Sequence, residues 1–146
     1  MLTLKFCVNN RLSKKVILDS NFLLLPLNLK IDIFREVEKL LAAEVEFILV
    51  PEVLNEIEKL IKSGKPSISR KAKFALQLAN NRCVKMNFEE KPLKVEVDDY
   101  IANLAEKYGY IVATADMKLK KKLRDKGIPV IYPRKGKYLA LEGYVG

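Results

Sequence analysis

The chain alternates short apolar runs with longer stretches in which apolar residues recur every three or four positions. Lys15-Val-Ile-Leu18 is such a run and predicts a buried strand. From Ile31 to Ala43, residues Phe34, Val37, Leu40 and Leu41 fall at helical spacing, with Asp32 placed to cap the helix. Glu46–Val50 predicts a second buried strand. Pro51 then opens a helix at the position where proline is best tolerated, with Val53, Ile57, Leu60 and Ile61 as its apolar stripe. Ser63-Gly64-Lys65-Pro66 breaks that helix. Ser67 or Ser69 caps the next one, which aligns Ala72, Ala75, Leu76 and Ala79 on one face.

The second half continues the alternation. Arg82–Phe88 alternates around Val84 and Met86, as a strand does, and Glu89–Lys94 is a polar connection containing Pro92. Asp98–Tyr108 is helical, with Ile101, Leu104, Ala105 and Tyr108 aligned, and Gly109 ends it. Tyr110–Ala113 predicts a buried strand. A helix over Asp116–Lys126 is stopped by Gly127, and Pro129–Tyr132 predicts a last short strand. Lys137–Tyr144 is placed to add an edge strand. Residues 1–13 receive no assignment.

Strands separated by helices imply βαβ units. The predicted fold class is α/β: a three-layer α/β/α sandwich with a mainly parallel central sheet. The 146 residues carry no repeat and no linker long enough to divide them, so one domain over residues 1–146 is expected.

Composition narrows the chemistry. The chain has no histidine, which excludes imidazole acid–base catalysis, Ser-His-Asp triads and His-containing zinc sites. Cys7 and Cys83 form neither a CxxC pair nor a disulfide framework, and the N-terminus lacks a signal-peptide pattern; a cytoplasmic protein is expected. The apolar runs fall short of the roughly 20 residues needed to span a membrane, so no membrane partner is expected. The net charge of +9 points either to a polyanionic partner such as nucleic acid or to a solvated lysine-rich surface.

Ligands of open parallel sheets bind at the carboxyl ends of the strands. Asp19 follows the first predicted strand directly. Thr114 and Asp116 follow Tyr110–Ala113. Glu56 lies in the first turns of the helix entered from Val50, and Asp98 starts the helix leading into the next strand. Four carboxylates distant in sequence are thereby expected at one end of the sheet. Each also has a plainer reading: Asp19 and Asp116 as turn or helix caps, Glu56 as a solvated helix glutamate, Asp98 and Asp99 as N-caps. Carboxylates gathered in a partly dry cleft repel one another, and a divalent cation is the natural offset. Oxygen-only ligation selects Mg²⁺ or Mn²⁺ over zinc, and such ions activate water and hold a phosphate for displacement without histidine.

Lys118, Lys120, Lys121, Lys122, Arg124 and Lys126 crowd the helix after Asp116, while Arg70, Lys71 and Lys73 start another basic helix. Each is either part of a phosphate-binding rim or an ordinary solvated side chain. Tyr108 and Tyr110 either stack on bases or pack in the core. No P-loop and no GxGxxG is present, and Asp19-Ser-Asn21 lacks the second aspartate of aspartyl phosphatases.

These residues also carry a resemblance. Asp19-Ser-Asn21, Val53-Leu-Asn-Glu-Ile-Glu58, Asp98-Asp-Tyr-Ile-Ala-Asn-Leu-Ala105 and Ala113-Thr-Ala-Asp116-Met-Lys-Leu119, followed by Gly127-Ile-Pro-Val130, resemble the ordered motifs of the PIN-domain nucleases. The resemblance spans about residues 15–133 and is to the branch of archaeal toxin-like (VapC-type) and small-subunit ribosomal RNA-processing PIN proteins. It implies a Mg²⁺- or Mn²⁺-dependent endoribonuclease that leaves a 5′-phosphate. It implies Asp19, Glu56, Asp98 and Asp116 as catalytic acids and metal ligands. Thr114 would support them by hydrogen bonding, and Asn21 would position the opening turn. The register of Asp98 to Ile101 and Ala105 selects it as the third acid, leaving Asp99 as a supporting or capping group.

The partners so implied are RNA (ribosomal, messenger or transfer), an antitoxin or a ribosomal precursor, and a second copy of the chain; the apolar faces of the helices around 31–43 and 51–62 serve either such an interface or core burial. A non-catalytic RNA- or ribosome-binding module on the same fold is the rival, and the presence of all four acids argues against it. Toxin and RNA-processing roles are not separable from the sequence.

Overall fold

The computed structural model describes residues 13–26 and 30–146. Residues 1–12, and with them Cys7 and the N-terminal run, lie outside the described residues, as do residues 27–29.

The elements in chain order are β1 (Lys14–Leu18), α1 (Ser20–Leu23), α2 (Ile33–Leu41), β2 (Val45–Leu49), α3 (Pro51–Ile61), α4 (Pro66–Arg82), β3 (Cys83–Lys85), α5 (Val97–Tyr108), β4 (Ile111–Ala113), α6 (Met117–Asp125), β5 (Val130–Arg134) and β6 (Tyr138–Glu142). The strands form one sheet in the order β3-β2-β1-β4-β5-β6. All neighbours are parallel except the β5–β6 pair. Val16 stands beside Phe47 on one side and Ile111 on the other; Ile17 lies between Ile48 and Val112. The consecutive apolar residues of β1, β2 and β4 are all buried, because a parallel strand covered on both faces has no solvent side on which to place a polar residue.

The topology fixes where a site belongs. From β1 the chain steps outward to β2 and β3, then returns past β1 to β4 and continues to β5. Right-handed crossovers place α1–α4 on one face and α5 and α6 on the other. The packing agrees: α1 touches α3 and α4, α3 packs against α4, and α5 touches α6. The direction of winding reverses between β1 and β4, so their carboxyl ends flank the open crevice of a doubly wound sheet.

The mainly parallel sheet between helices, the Asp32 cap and the C-terminal edge strand are as expected. Asp32 accepts from the Arg35 N–H at 3.2 Å, and β6 pairs with β5. Four local features differ. The chain leaves β1 through the one-turn helix α1, too short to leave a periodic pattern. Helix α4 starts at Pro66 with Lys65 at its cap, not Ser67 or Ser69. Proline brings no N–H needing a partner, and the Ser69 hydroxyl donates to the Ile61 carbonyl at 2.8 Å, tying α4 to the end of α3. Strand β3 is three residues long because α4 runs on to Arg82, and Val84 is 46% exposed on this sheet edge. Tyr110 stays outside β4 and stacks on Tyr108 with ring centroids 5.5 Å apart, beside Phe88. These rings lie at the amino end of β4, the opposite end of the sheet from Thr114 and Asp116. No helix among the described residues is long and apolar enough to cross a membrane.

Candidate active site

Asp19 is the first residue beyond β1 and is only 3% exposed. It caps α1: its Oδ1 accepts from the Ser20 N–H at 2.9 Å. Its Oδ2 accepts from the hydroxyl of Thr114 at 2.8 Å. Thr114, fully buried, is the first residue beyond β4, and its Oγ1 in turn accepts from the Asp116 N–H at 3.0 Å. Asn21 closes the same corner, its Oδ1 accepting from the Ala115 N–H at 3.0 Å and lying 3.3 Å from the Thr114 hydroxyl. The β1 and β4 exits are thus tied by side chains where the strand ladder ends.

Asp116 caps α6, its Oδ1 accepting from the Lys118 N–H at 2.8 Å and the Leu119 N–H at 3.4 Å. The cap readings of Asp19 and Asp116 therefore hold, and a cap leaves carboxylate lone pairs free. Those of Asp98 and Asp99 do not hold: α5 has Glu96 at its cap, with both aspartates inside the first turn. Glu56 is half-buried on α3, where the Ser20 hydroxyl donates to its Oε2 at a long 3.5 Å.

Electrostatics show which acids lie close enough to repel one another. Burial pushes the Asp19 carboxyl up from the ordinary aspartate range, and the Asp116 charge adds to the rise against the Thr114 and Ser20 hydrogen bonds. Glu56 is raised by burial, then by the charges of Asp19 and Asp98. Asp98 is raised by burial, then by Asp19 and Asp116, while Lys122 partly offsets it. The four acids gather in one repelling group at the crevice between β1 and β4. Asp99 is exposed and pairs with Lys122 at 3.2 Å.

Among the described residues no three such groups close into a ready-made ligand cage. The donor set nevertheless fits a hard cation that keeps several of its own waters, since every donor is a carboxylate oxygen and each raised acid favours added positive charge.

Residues 16–136 match the family described as "PIN like domain". The chain belongs to the PIN-like domain family. Ribonuclease VapC4 of Methanocaldococcus jannaschii is 33% identical over 132 residues, covering 90% of this chain and 98% of that protein. Ribonuclease VapC9 of Archaeoglobus fulgidus is 37% identical over 98 residues, 66% of this chain and 67% of that protein. The solved structure of the PIN domain endonuclease Utp24 superposes with a TM-score of 0.73 at 30% identity, over 90% of this chain and 92% of that one. A domain of a functionally unknown protein from Methanocaldococcus jannaschii shares the fold, with a TM-score of 0.61 at 20% identity, over 91% of this chain and 96% of that one.

Within this PIN-like chain the basic residues of α6 divide into two groups. Lys118 and Lys121 are exposed, and Lys122 faces α5. Lys120 and Arg124 turn to the edge hairpin: the Lys120 ammonium lies 3.9 Å over the Tyr132 ring and 3.2 Å from Glu142, and Arg124 donates to the Ile128 carbonyl at 3.0 Å. Ser20 was missed by the sequence reading. Its only signal is its place directly after Asp19 at the strand exit. Lys59, one helical turn beyond Glu56 and partly offsetting its charge, was missed as well, because an exposed helix lysine carries no pattern of its own.

Proposed function

We propose that this chain is a divalent-metal-dependent endoribonuclease, with Asp19, Glu56, Asp98 and Asp116 as its catalytic acids and metal ligands. The observation that carries the reading is the gathering of these four carboxylates at the sheet's switch point, where burial and mutual repulsion raise three of them. When bound there, Mg²⁺ or Mn²⁺ supplies an activated water and an electrostatic clamp on the scissile phosphate. Thr114 fixes the carboxylate plane of Asp19 and the backbone of Asp116 together, so the two ligands move as one unit. Asn21 holds the turn that carries both, and the Ser20 hydroxyl steadies Glu56. Lys118, Lys121 and Lys122 receive the flanking phosphates, while Lys120 and Arg124 shape the helix from its far side.

RNA as the substrate is supported by the two ribonuclease relatives and the endonuclease neighbour. The toxin-type and ribosomal RNA-processing readings share this chemistry and differ in partner, an antitoxin or a ribosomal precursor. The activity is proposed for the cytoplasm, on one PIN-like domain that the family match places over residues 16–136. Purified protein with Mn²⁺ or Mg²⁺ is expected to cleave single-stranded RNA, with loss of cleavage in EDTA and in Asp19→Asn. Cleavage that survives Asp19→Asn overturns the assignment. RNA binding without cleavage by the wild type points instead to a non-catalytic binding module.

A further inference from the structure

Helix geometry separates the two aspartates that begin α5. Consecutive helix residues point about 100° apart, so Asp98 and Asp99 cannot both face the carboxylate cluster. Asp98 joins the cluster and Asp99 turns to α6, where the Lys122 ammonium stands 3.2 Å from its Oδ1. Lys122 also lies close enough to Asp98 and Glu96 for its charge to act on both, so its ammonium is the point at which the basic helix α6 meets the rim of the acids. Lys118 lies one turn earlier on the same face of α6, where i and i+4 residues are neighbours.

Resting on the nuclease reading above, we propose that Asp99 and Lys122 form a charge gate at the mouth of the carboxylate cluster. When RNA enters, Lys122 exchanges the Asp99 carboxylate for a backbone phosphate. The pair suits this role physically. Its side chains are 46% and 51% exposed, so it is held weakly and opens at little cost. An ammonium has three donors and no fixed plane, so it can turn from one oxygen anion to another without a change of backbone. Asp99 then acts in two ways. It keeps Lys122 at the rim in the absence of RNA, and its negative charge repels polyanions that cannot reach Lys122. Asp99 is a positioning residue here, acting on the substrate through Lys122.

The gate makes opposite predictions for its two members. The full-length protein, Asp99→Asn, Lys122→Gln and the double variant are compared on a labelled single-stranded oligoribonucleotide. KM and kcat are read with Mn²⁺ across a salt series, RNA binding by fluorescence anisotropy, and Mn²⁺ binding by calorimetry. Asp99→Asn is expected to lower KM about two- to fivefold at low salt, the range an exposed ion pair allows, with Mn²⁺ affinity unchanged. Lys122→Gln is expected to raise KM and to flatten the slope of log KM against log salt by about one, as loss of one phosphate contact does. In the double variant the gain from Asp99→Asn disappears. A raised or unchanged KM in Asp99→Asn overturns the gate. So does a fall in kcat with weaker Mn²⁺ binding, which would make Asp99 a metal ligand. If the wild type cleaves no RNA, the nuclease reading fails separately, and anisotropy alone scores the gate by the same ratios.

Discussion

The hydroxyl of Thr114 donates to Asp19 Oδ2 at 2.8 Å, joining two strand exits 95 residues apart in sequence. It also accepts from the Asp116 N–H at 3.0 Å, so one buried oxygen aligns two of the four acids. Thr114→Val keeps the shape and removes both hydrogen bonds. Asp19 Oδ2 and the Asp116 N–H then lose this partner, at a cost of about 1–3 kcal/mol in stability. Activity is expected to fall about 10- to 100-fold, the usual loss when the residue orienting a metal ligand is removed. Thr114→Ser, which keeps the hydroxyl, is expected to restore most of both. Thermal denaturation and steady-state RNA cleavage check this. Full activity in Thr114→Val would show that Asp19 is held without it.

The strand order was less legible in the sequence than the strands themselves. Val16–Leu18, Phe47–Leu49 and Ile111–Ala113 read as apolar runs because parallel strands are buried on both faces. Their carboxyl ends then located Asp19, Thr114 and Asp116 without further information, since the residues that follow parallel strands line the ligand-binding end of the sheet. What stayed hidden was whatever depends on a partner elsewhere in the chain. Lys120 and Lys122 look alike in sequence, yet one packs on Tyr132 and the other reaches Asp99. Ser20 gains its meaning only when α3 brings Glu56 beside it. Helix α1 is a single turn, too short for an apolar spacing to repeat, and its start is set by the Asp19 cap.

The edge hairpin braces α6 from the side away from α5. Glu142 reaches Lys120 at 3.2 Å and Arg124 at 3.9 Å. The next residue, Gly143, has φ +108°, and a Cβ there would meet the Arg124 guanidinium and lie 3.0 Å from the Pro129 Cα. Gly143→Ala is expected to destabilise by about 1–3 kcal/mol through strain and displacement of Arg124. Glu142→Gln, at a partly exposed pair, is expected to cost at most about 1 kcal/mol. Denaturant melts measure both, and RNA cleavage by Glu142→Gln is expected to match the wild type. Tighter RNA binding by that variant would instead return Lys120 and Arg124 to the RNA-binding face.

The raised carboxylates also set a pH dependence whose sign is opposite to that of ordinary paired acids. Burial, then mutual repulsion, lifts Asp19, Glu56 and Asp98 above their unfolded values. Folding therefore favours their protonated forms. Their contribution is fully present below the ordinary carboxylate range, about pH 4, and is lost as pH rises through the raised folded values. Glu89, lowered by its hydrogen bond from Lys107, works on the other side of that range: its contribution is lost only as pH falls. The metal-free wild type is thus expected to lose stability relative to Asp98→Asn as pH rises from 4 toward neutrality. Added Mn²⁺ competes with protons for the same oxygens, so it is expected to stabilise the wild type more at neutral pH than at pH 5. At a hundredfold excess over its dissociation constant that gain is about 2.7 kcal/mol. Paired melts of wild type and Asp98→Asn, with EDTA and with Mn²⁺, measure both effects. A pH-independent difference between the two in EDTA would show that Asp98 does not belong to the repelling group.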